Sequence, residues 1–360
     1  MHRFRIGVLT SGGDCPGLNA VIRATVASAH TLGWEVLGFI DGYEGLLSPV
    51  NYKILTVENT QGITATGGTI IGTTNKGRFV AKSGLGEKAQ IPQPIIDEAK
   101  KTLSDLGVRA LVCIGGDGSL TTAEQLFENG VNCVGVPKTI DNDLSATATT
   151  FGFDSAVQCV ADALDRLHTT AASHKRVMVL EVMGRHAGWI ALYGGLAGLA
   201  DVILIPEIPF SYDKLASYVE KRMSSGAAST IIVVSEGASA EGGEVTTIDG
   251  ATKGEVRLGG IGAQVAAEIG ARTGRETRTV VLGHLQRGGA PTTQDRNLGT
   301  RFGVGAVQLI QEKKFGHMVS YLNYQIGAVT ISEAVGQIKH VPPDGQMVQT
   351  AKAIGISFGT

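Results

Sequence analysis

The sequence predicts an α/β protein whose mainly parallel sheets are covered by helices, and three observations carry that reading. The chain has 360 residues, more than one domain of about 100–200 residues needs, so two packed α/β domains are expected. Short apolar runs alternate with longer runs whose apolar residues recur at helical spacing. Glycine accounts for 50 residues, roughly double ordinary usage, with no G-X-Y repeat. With 43% of residues hydrophobic and only 18% charged, collagen-like and disordered readings fail, and much buried sheet is implied.

In chain order, RIGVLT (5–10) reads as a buried strand. A glycine-rich turn follows, and then Leu18, Val21, Ile22 and Val26 fall on one helical face. WEVLGFI, VRALVCIGG, NCVGVP, KRVMVLEV, DVILIP, STIIVVSEG and RTVVLGH repeat the strand signal. Between them, TTAEQLFEN, SAVQCVADALDRLHT and GAQVAAEIGART read as helices. Apolar strands separated by helices imply a parallel sheet buried on both faces. Right-handed crossovers then gather the strand C-terminal ends, and any ligand, along one crevice. Residues 81–95 and 238–258 read as surface excursions, and a domain junction is expected near 150.

The formal net charge is −2, so no global field favours nucleic acid or an anionic membrane. An anionic substrate must be gripped by local basic residues. Cys15, Cys113, Cys133 and Cys159 lack CxxC spacing and are expected as reduced thiols rather than a metal site or disulfide frame. The N-terminus runs straight into a strand and does not read as a signal peptide. The longest uncharged apolar stretch, Ala187 to Ala200, is short and broken by glycine, so no membrane span is expected. Together these features predict a cytoplasmic protein.

Four motifs carry chemistry. SGGDCPGLNAVIR (11–23) joins a strand to a helix, and Gly12, Gly13 and Gly17 would let backbone N–H groups approach a phosphate. An ordinary strand-to-helix turn also uses glycine. IGGDGSL (114–120) repeats the arrangement, with Ser119 placed to cap the next helix. Asp117 is a natural Mg²⁺ ligand beside a phosphate, or a residue that only bonds a tight turn. PKTIDND (137–143) sets two aspartates at i, i+2 after a strand. One carboxylate can accept a hydroxyl proton while the other fixes the surrounding network, although Asx turns also use this pattern. Last come Arg176, Arg185, Arg278, His284 and Arg287, the arginines suited to phosphate by their planar fork. Glu236, after the run IIVVS, is a candidate acceptor for a sugar hydroxyl.

GGDCPGLNAVIR, DGYEGL, GGTIIGT, GGDGSL, PKTIDND, SHKR, MGRHAG and GHLQRGG occur in the order found in the 6-phosphofructokinase family. The sequence resembles that family from about residue 4 to 310. The resemblance implies two similar Rossmann-like domains with the active site in the cleft between them. It implies residues 1–150 plus about 286–335 as the phosphoryl-donor domain, and 151–285 plus about 336–360 as the sugar-phosphate domain. The implied reaction is phosphoryl transfer from a nucleotide–Mg²⁺ donor to the 1-hydroxyl of fructose 6-phosphate in glycolysis.

Matched position by position, Gly13, Tyr43, Asp117, Gly118 and Ser119 would contact the donor, with Asp117 at the metal. Asp141 looks like the base, with Thr139 and Asp143 in support and Arg185 among the catalytic groups. Met183, Gly184, Arg185 and Glu236 match the sugar wall, and His284 and Arg287 match the grip on the 6-phosphate. Arg176 and Arg278 match arginines that reach the site of a neighbouring subunit. A homo-oligomer is therefore implied, at least a dimer and in the usual family assembly a tetramer.

Pyrophosphate-using members resemble this chain too, but carry GGDD and a lysine before TIDND. Here Gly118 leaves room for a nucleotide, whereas Lys138 matches the pyrophosphate enzymes. Some nucleotide-using members combine the same glycine and lysine, so ATP is the expected donor and pyrophosphate the alternative. Asn75 stands where common bacterial ATP enzymes have a transition-state arginine, with Lys76 or Arg78 left to supply the charge. That departure is the one hint of a catalytically silent subunit. In the matching regulatory pocket Arg23 and Glu207 are kept, while Ala27, His168, Ser225 and Ala227 replace cations.

Overall fold

The computed structural model describes residues 4–79, 89–247 and 258–360. The chain begins β1 (Arg5–Thr10), α1 (Leu18–Thr31), β2 (Glu35–Phe39), β3 (Tyr52–Leu55), α2 (Gln93–Asp105), β4 (Val108–Gly115), α3 (Asp117–Glu128) and β5 (Cys133–Pro137). It continues α4 (Phe153–His174), β6 (Val177–Val182), α5 (Trp189–Ala197), β7 (Val202–Leu204), α6 (Tyr212–Ser224) and β8 (Thr230–Ser235). Then follow α7 (Ile261–Thr273), β9 (Thr277–Val281), α8 (Thr293–Gln311), β10 (His317–Leu322), β11 (Gln325–Thr330), α9 (Ile331–Val335) and α10 (Gln346–Ala353).

Two compact units divide these elements. The first contains residues 1–140, 144–155 and 287–337; the second contains 141–143, 156–286 and 338–360. The first unit is built on a seven-stranded sheet in the order β11-β10-β5-β4-β1-β2-β3. Its inner pairs are parallel, and only β2–β3 and β10–β11 are antiparallel. In β1, Leu9 points into a core shared with α2, α3 and α9. Ile6 and Val8, equally buried, point to the other face. The second unit holds a four-stranded, all-parallel sheet in the order β7-β8-β6-β9. Its core packs Val179, Leu204 and Ile232 of the sheet against Leu215, Val265 and Ile269 of α6 and α7.

The mixed α/β class with mainly parallel sheets is as the sequence predicts. Strands such as VRALVCIG (β4) and VMVLEV (β6) are buried along most of their length. Glu181 is the exception inside β6. Its carboxylate accepts from Gly260 N at 3.1 Å and Gly262 N at 2.8 Å, satisfying the uncapped start of α7. Strands β3, β10 and β11 lacked a strand signal. All three lie at or beside a sheet edge, and β3 exposes Tyr52, Lys53 and Ile54. One local expectation is corrected: Ser119 does not cap α3. The N-cap is Gly116 and Ser119 lies within the helix, because the helix begins already at Asp117. The excursions expected at 81–95 and 238–258 fall partly outside the described residues; of the rest, Gln93 already starts α2.

Candidate active site

In the first unit, β1, β4 and β5 end side by side, and each is followed by a motif loop. These loops, with segments 43–44 and 74–79, enclose a pocket of about 280 Å³. Gly13, Tyr43, Asp117, Gly118, Ser119, Lys138, Thr139 and Arg287 all line it. The helix α3 enters this wall with no side chain capping its first turn. Its N-terminal N–H groups and positive dipole end are suited to an anion.

Hydrogen bonds fix the loops against each other. Gly12 N donates to Thr74 O at 2.9 Å and Thr73 Oγ1 to Gly12 O at 2.7 Å, tying the GGTIIGT segment to the first glycine loop. A side chain at Gly67 would collide with the carbonyl of Gly289, so the GGT and RGG motifs meet backbone to backbone. Arg287 Nη1 donates to Asp14 O at 3.1 Å, and a Cβ on Gly13 would stand 2.8 Å from that nitrogen. A side chain at 13 would therefore push the guanidinium from its place. The buried Lys138 ammonium donates to Gly13 O. Tyr43 Oη donates to Ser119 O at 2.7 Å, and burial pushes the phenol well above its usual range. Cys15, packed under the loop, is inert as a thiol because burial pushes it up to about 12.

Sequence reasoning missed Glu44, Phe79 and Thr122 in the pocket wall. Glu44 has a clear function: its Oε2 lies 3.0 Å from Arg78 Nε. Of the two cations after Asn75, Lys76 lines the pocket together with Asn75, and Arg78 does not.

The second unit gathers the remaining candidates at adjacent strand ends. Met183, Gly184 and Arg185 follow β6, Glu236 follows β8 and His284 follows β9. Glu236 N donates to Val182 O at 2.9 Å, and Ser235 Oγ to Gly184 O at 2.6 Å, so the MGRHAG turn rests on the SEG turn. Asp141 and Asp143 belong to this unit, and Thr139 to the first. Arg176 and Arg278 converge on Glu276, at 2.9 and 2.5 Å, beside the edge strand β9. Arg176 holds the Glu276 carboxyl below its usual range.

Glu207 is committed to the backbone of its own unit. Its carboxylate accepts from Gly188 N at 3.1 Å and from Val341 N at 2.8 Å, with a side chain only 7% exposed. Glu207→Ala is expected to lower stability by about 2–3 kcal/mol, because buried N–H groups lose a charged acceptor. Chemical denaturation checks this; an unchanged midpoint and slope would refute it.

Two glycine loops, the Asp117 carboxylate and local cations suit a polyphosphate. The phosphofructokinase family model matches residues 5–310. The chain belongs to the phosphofructokinase family. A relative from Chloroflexus aggregans, named ATP-dependent 6-phosphofructokinase, is 52% identical over 99% of this chain and 98% of its own length. Another from Amycolatopsis mediterranei, named pyrophosphate–fructose 6-phosphate 1-phosphotransferase, is 50% identical over 94% of this chain and 96% of its own. The solved phosphofructokinase of Pichia pastoris superposes with a TM-score of 0.82 at 31% identity. It covers 98% of this chain, which spans 36% of that longer one. Among the described residues no helix is long and apolar enough to cross a membrane.

Proposed function

We propose that the protein is an ATP-dependent 6-phosphofructokinase. It transfers the γ-phosphoryl group of ATP to the 1-hydroxyl of fructose 6-phosphate, giving fructose 1,6-bisphosphate and ADP. Relatives of nearly equal identity carry ATP and pyrophosphate names, so overall similarity is a weak guide to the donor. The observation that carries the choice is Gly118, in the first turn of α3 and in the pocket wall. Pyrophosphate enzymes resembling this chain place a second carboxylate there, where a nucleotide's α-phosphate would lie.

In this reading the first unit takes the donor and the second, with Arg287 of the first, takes the sugar phosphate. Backbone donors at Gly13 and in the first turn of α3 orient the polyphosphate. Asp117 in the pocket wall suits Mg²⁺, which prefers one or two carboxylates plus phosphate oxygens; it would hold the ion, whose charge would offset that of the phosphates. Asp141 takes the proton as the 1-hydroxyl oxygen bonds to the γ-phosphorus and the bond to the ADP oxygen breaks. Thr139 and Asp143 support that loop, while Met183, Gly184, Arg185 and Glu236 hold the sugar. His284 and Arg287 take the 6-phosphate. Lys76 supplies the cation that Asn75 lacks.

The convergence of Arg176 and Arg278 beside an edge strand supports presentation to a neighbouring subunit, hence a homo-oligomer of at least two and, by family habit, four chains. Free thiols at all four cysteines suit a cytoplasmic enzyme.

Pyrophosphate is the second reading, favoured by Lys138. Initial rates with fructose 6-phosphate and Mg²⁺ decide between them: turnover with ATP and none with pyrophosphate is expected. Turnover with pyrophosphate alone would reverse the donor, and none with either would make the chain a silent subunit.

A further inference from the structure

Residue Lys339 lies almost 200 positions beyond the DND loop yet is bound to it within the second unit. Its backbone N–H donates to Asp143 O at 2.8 Å, and its ammonium donates to Asn142 Oδ1 at 3.0 Å. Trp189, opening α5, clamps the lysine from the other side. The indole Nε1 donates to Lys339 O at 2.7 Å, and the ammonium lies 5.8 Å from the ring centroid. The flanking segment is equally tied, since His340 Nδ1 meets His186 O at 2.9 Å and Val341 N donates to Glu207 Oε1. This is no swinging surface lysine.

Asn142 explains the need for such a clamp. It is buried, and its φ of 51° lies in the left-handed region, which asparagine tolerates better than most residues but which still costs energy. Such a turn persists when its surroundings over-determine it. The two bonds from Lys339 do so on either side of the peptide that follows Asn142, directly after Asp141.

We infer that Lys339 is a positioning residue, holding the Asp141–Asp143 loop through Asn142 in the geometry that the transfer proposed above requires. The inference rests on that reading. A methionine would fill the same stem volume without an ammonium, so retaining a cation here needs a reason beyond packing. Burial pushes Lys339 down to about 8, and Asp143 pushes it back up. The other titratable and charged groups on the segments around it are Asp141, Arg185, His186, Tyr193, Glu207 and His340. Deprotonation as pH rises through about 8 removes the charge-assisted bond to Asn142.

The test combines two variants and two readouts. Lys339→Met is expected to lower kcat 10- to 100-fold with the KM for ATP unchanged. Amide hydrogen exchange is expected to quicken in peptides covering 140–144 while protection elsewhere is kept. In wild-type protein kcat falls above pH 8; in Lys339→Arg, which stays charged, that fall moves to higher pH. Wild-type kcat in the methionine variant, or unchanged exchange in the loop, would overturn the inference. Should the methionine variant unfold, the arginine variant decides: an alkaline limb that does not move sinks the idea. If wild-type protein turns over neither donor, the proposed function fails, and the exchange measurement still judges the clamp on its own.

Discussion

Asp141→Ser lowers kcat by about 10²–10⁴-fold, the range a positioned general base contributes, while the KM for fructose 6-phosphate changes little. Asp141 sits between Ile140, which is buried, and Asn142, whose backbone is held in the left-handed region. Its position is therefore set by neighbours that a serine leaves in place. The sugar is assigned to other groups, on the turns after β6, β8 and β9, so ground-state binding does not depend on the lost carboxylate. Removing an interaction made only as the proton moves should lower kcat and kcat/KM together. Steady-state kinetics on the purified variant measure both. An unchanged kcat would remove Asp141 from the chemistry; a loss confined to KM would make it a sugar-binding residue.

The parts of the fold legible in the sequence are those with one physical cause. Strands β1, β5, β6 and β8 are buried along nearly all of their length, so burial alone writes a continuous apolar run. Edge strands answer to two environments. In β11, residues such as Gln325 are exposed while Ile326 is half-buried, and the pattern is lost among turn residues. The phosphate-type loops were legible because each sits where a strand hands over to a helix, a place where glycine N–H groups can converge on an anion.

What was not legible depends on partners far away in the chain. Lys76 and Arg78 are two residues apart and chemically similar, and local sequence ranks neither. Place in the fold separates them: Lys76 lines the pocket, whereas Arg78, outside its lining, pairs with Glu44. Glu207 looks like a surviving effector ligand until Gly188 and Val341 are seen to use its carboxylate. Lys339 carries no motif at all. Its meaning comes from Asn142, which packing rather than periodicity brings to it.

Gly118→Asp, finally, is expected to cut kcat/KM for ATP by about 100-fold and to spare pyrophosphate. The new carboxylate would share the pocket wall with Asp117, Gly13 and Ser119. A unit charge about 5 Å from an α-phosphate charge, at an effective dielectric near 20, costs about 3 kcal/mol. The positive end of α3 stabilises the new carboxylate with and without nucleotide alike, so it leaves that penalty, about 100-fold, standing against the nucleotide. The same dipole favours an aspartate in the first helical turn, so the variant should fold, and an unaltered circular dichroism melt would confirm that the loss is local. Pyrophosphate has no third phosphate to meet the new charge, and Lys138, anchored on Gly13 O, remains beside the two it has. The inhibition constant of pyrophosphate against ATP should therefore stay at its wild-type value while kcat/KM for ATP falls. A variant that keeps its ATP efficiency would show that position 118 does not face the α-phosphate. The choice of donor would then have to lie with Lys138, and Lys138→Gly in the wild-type background should change it.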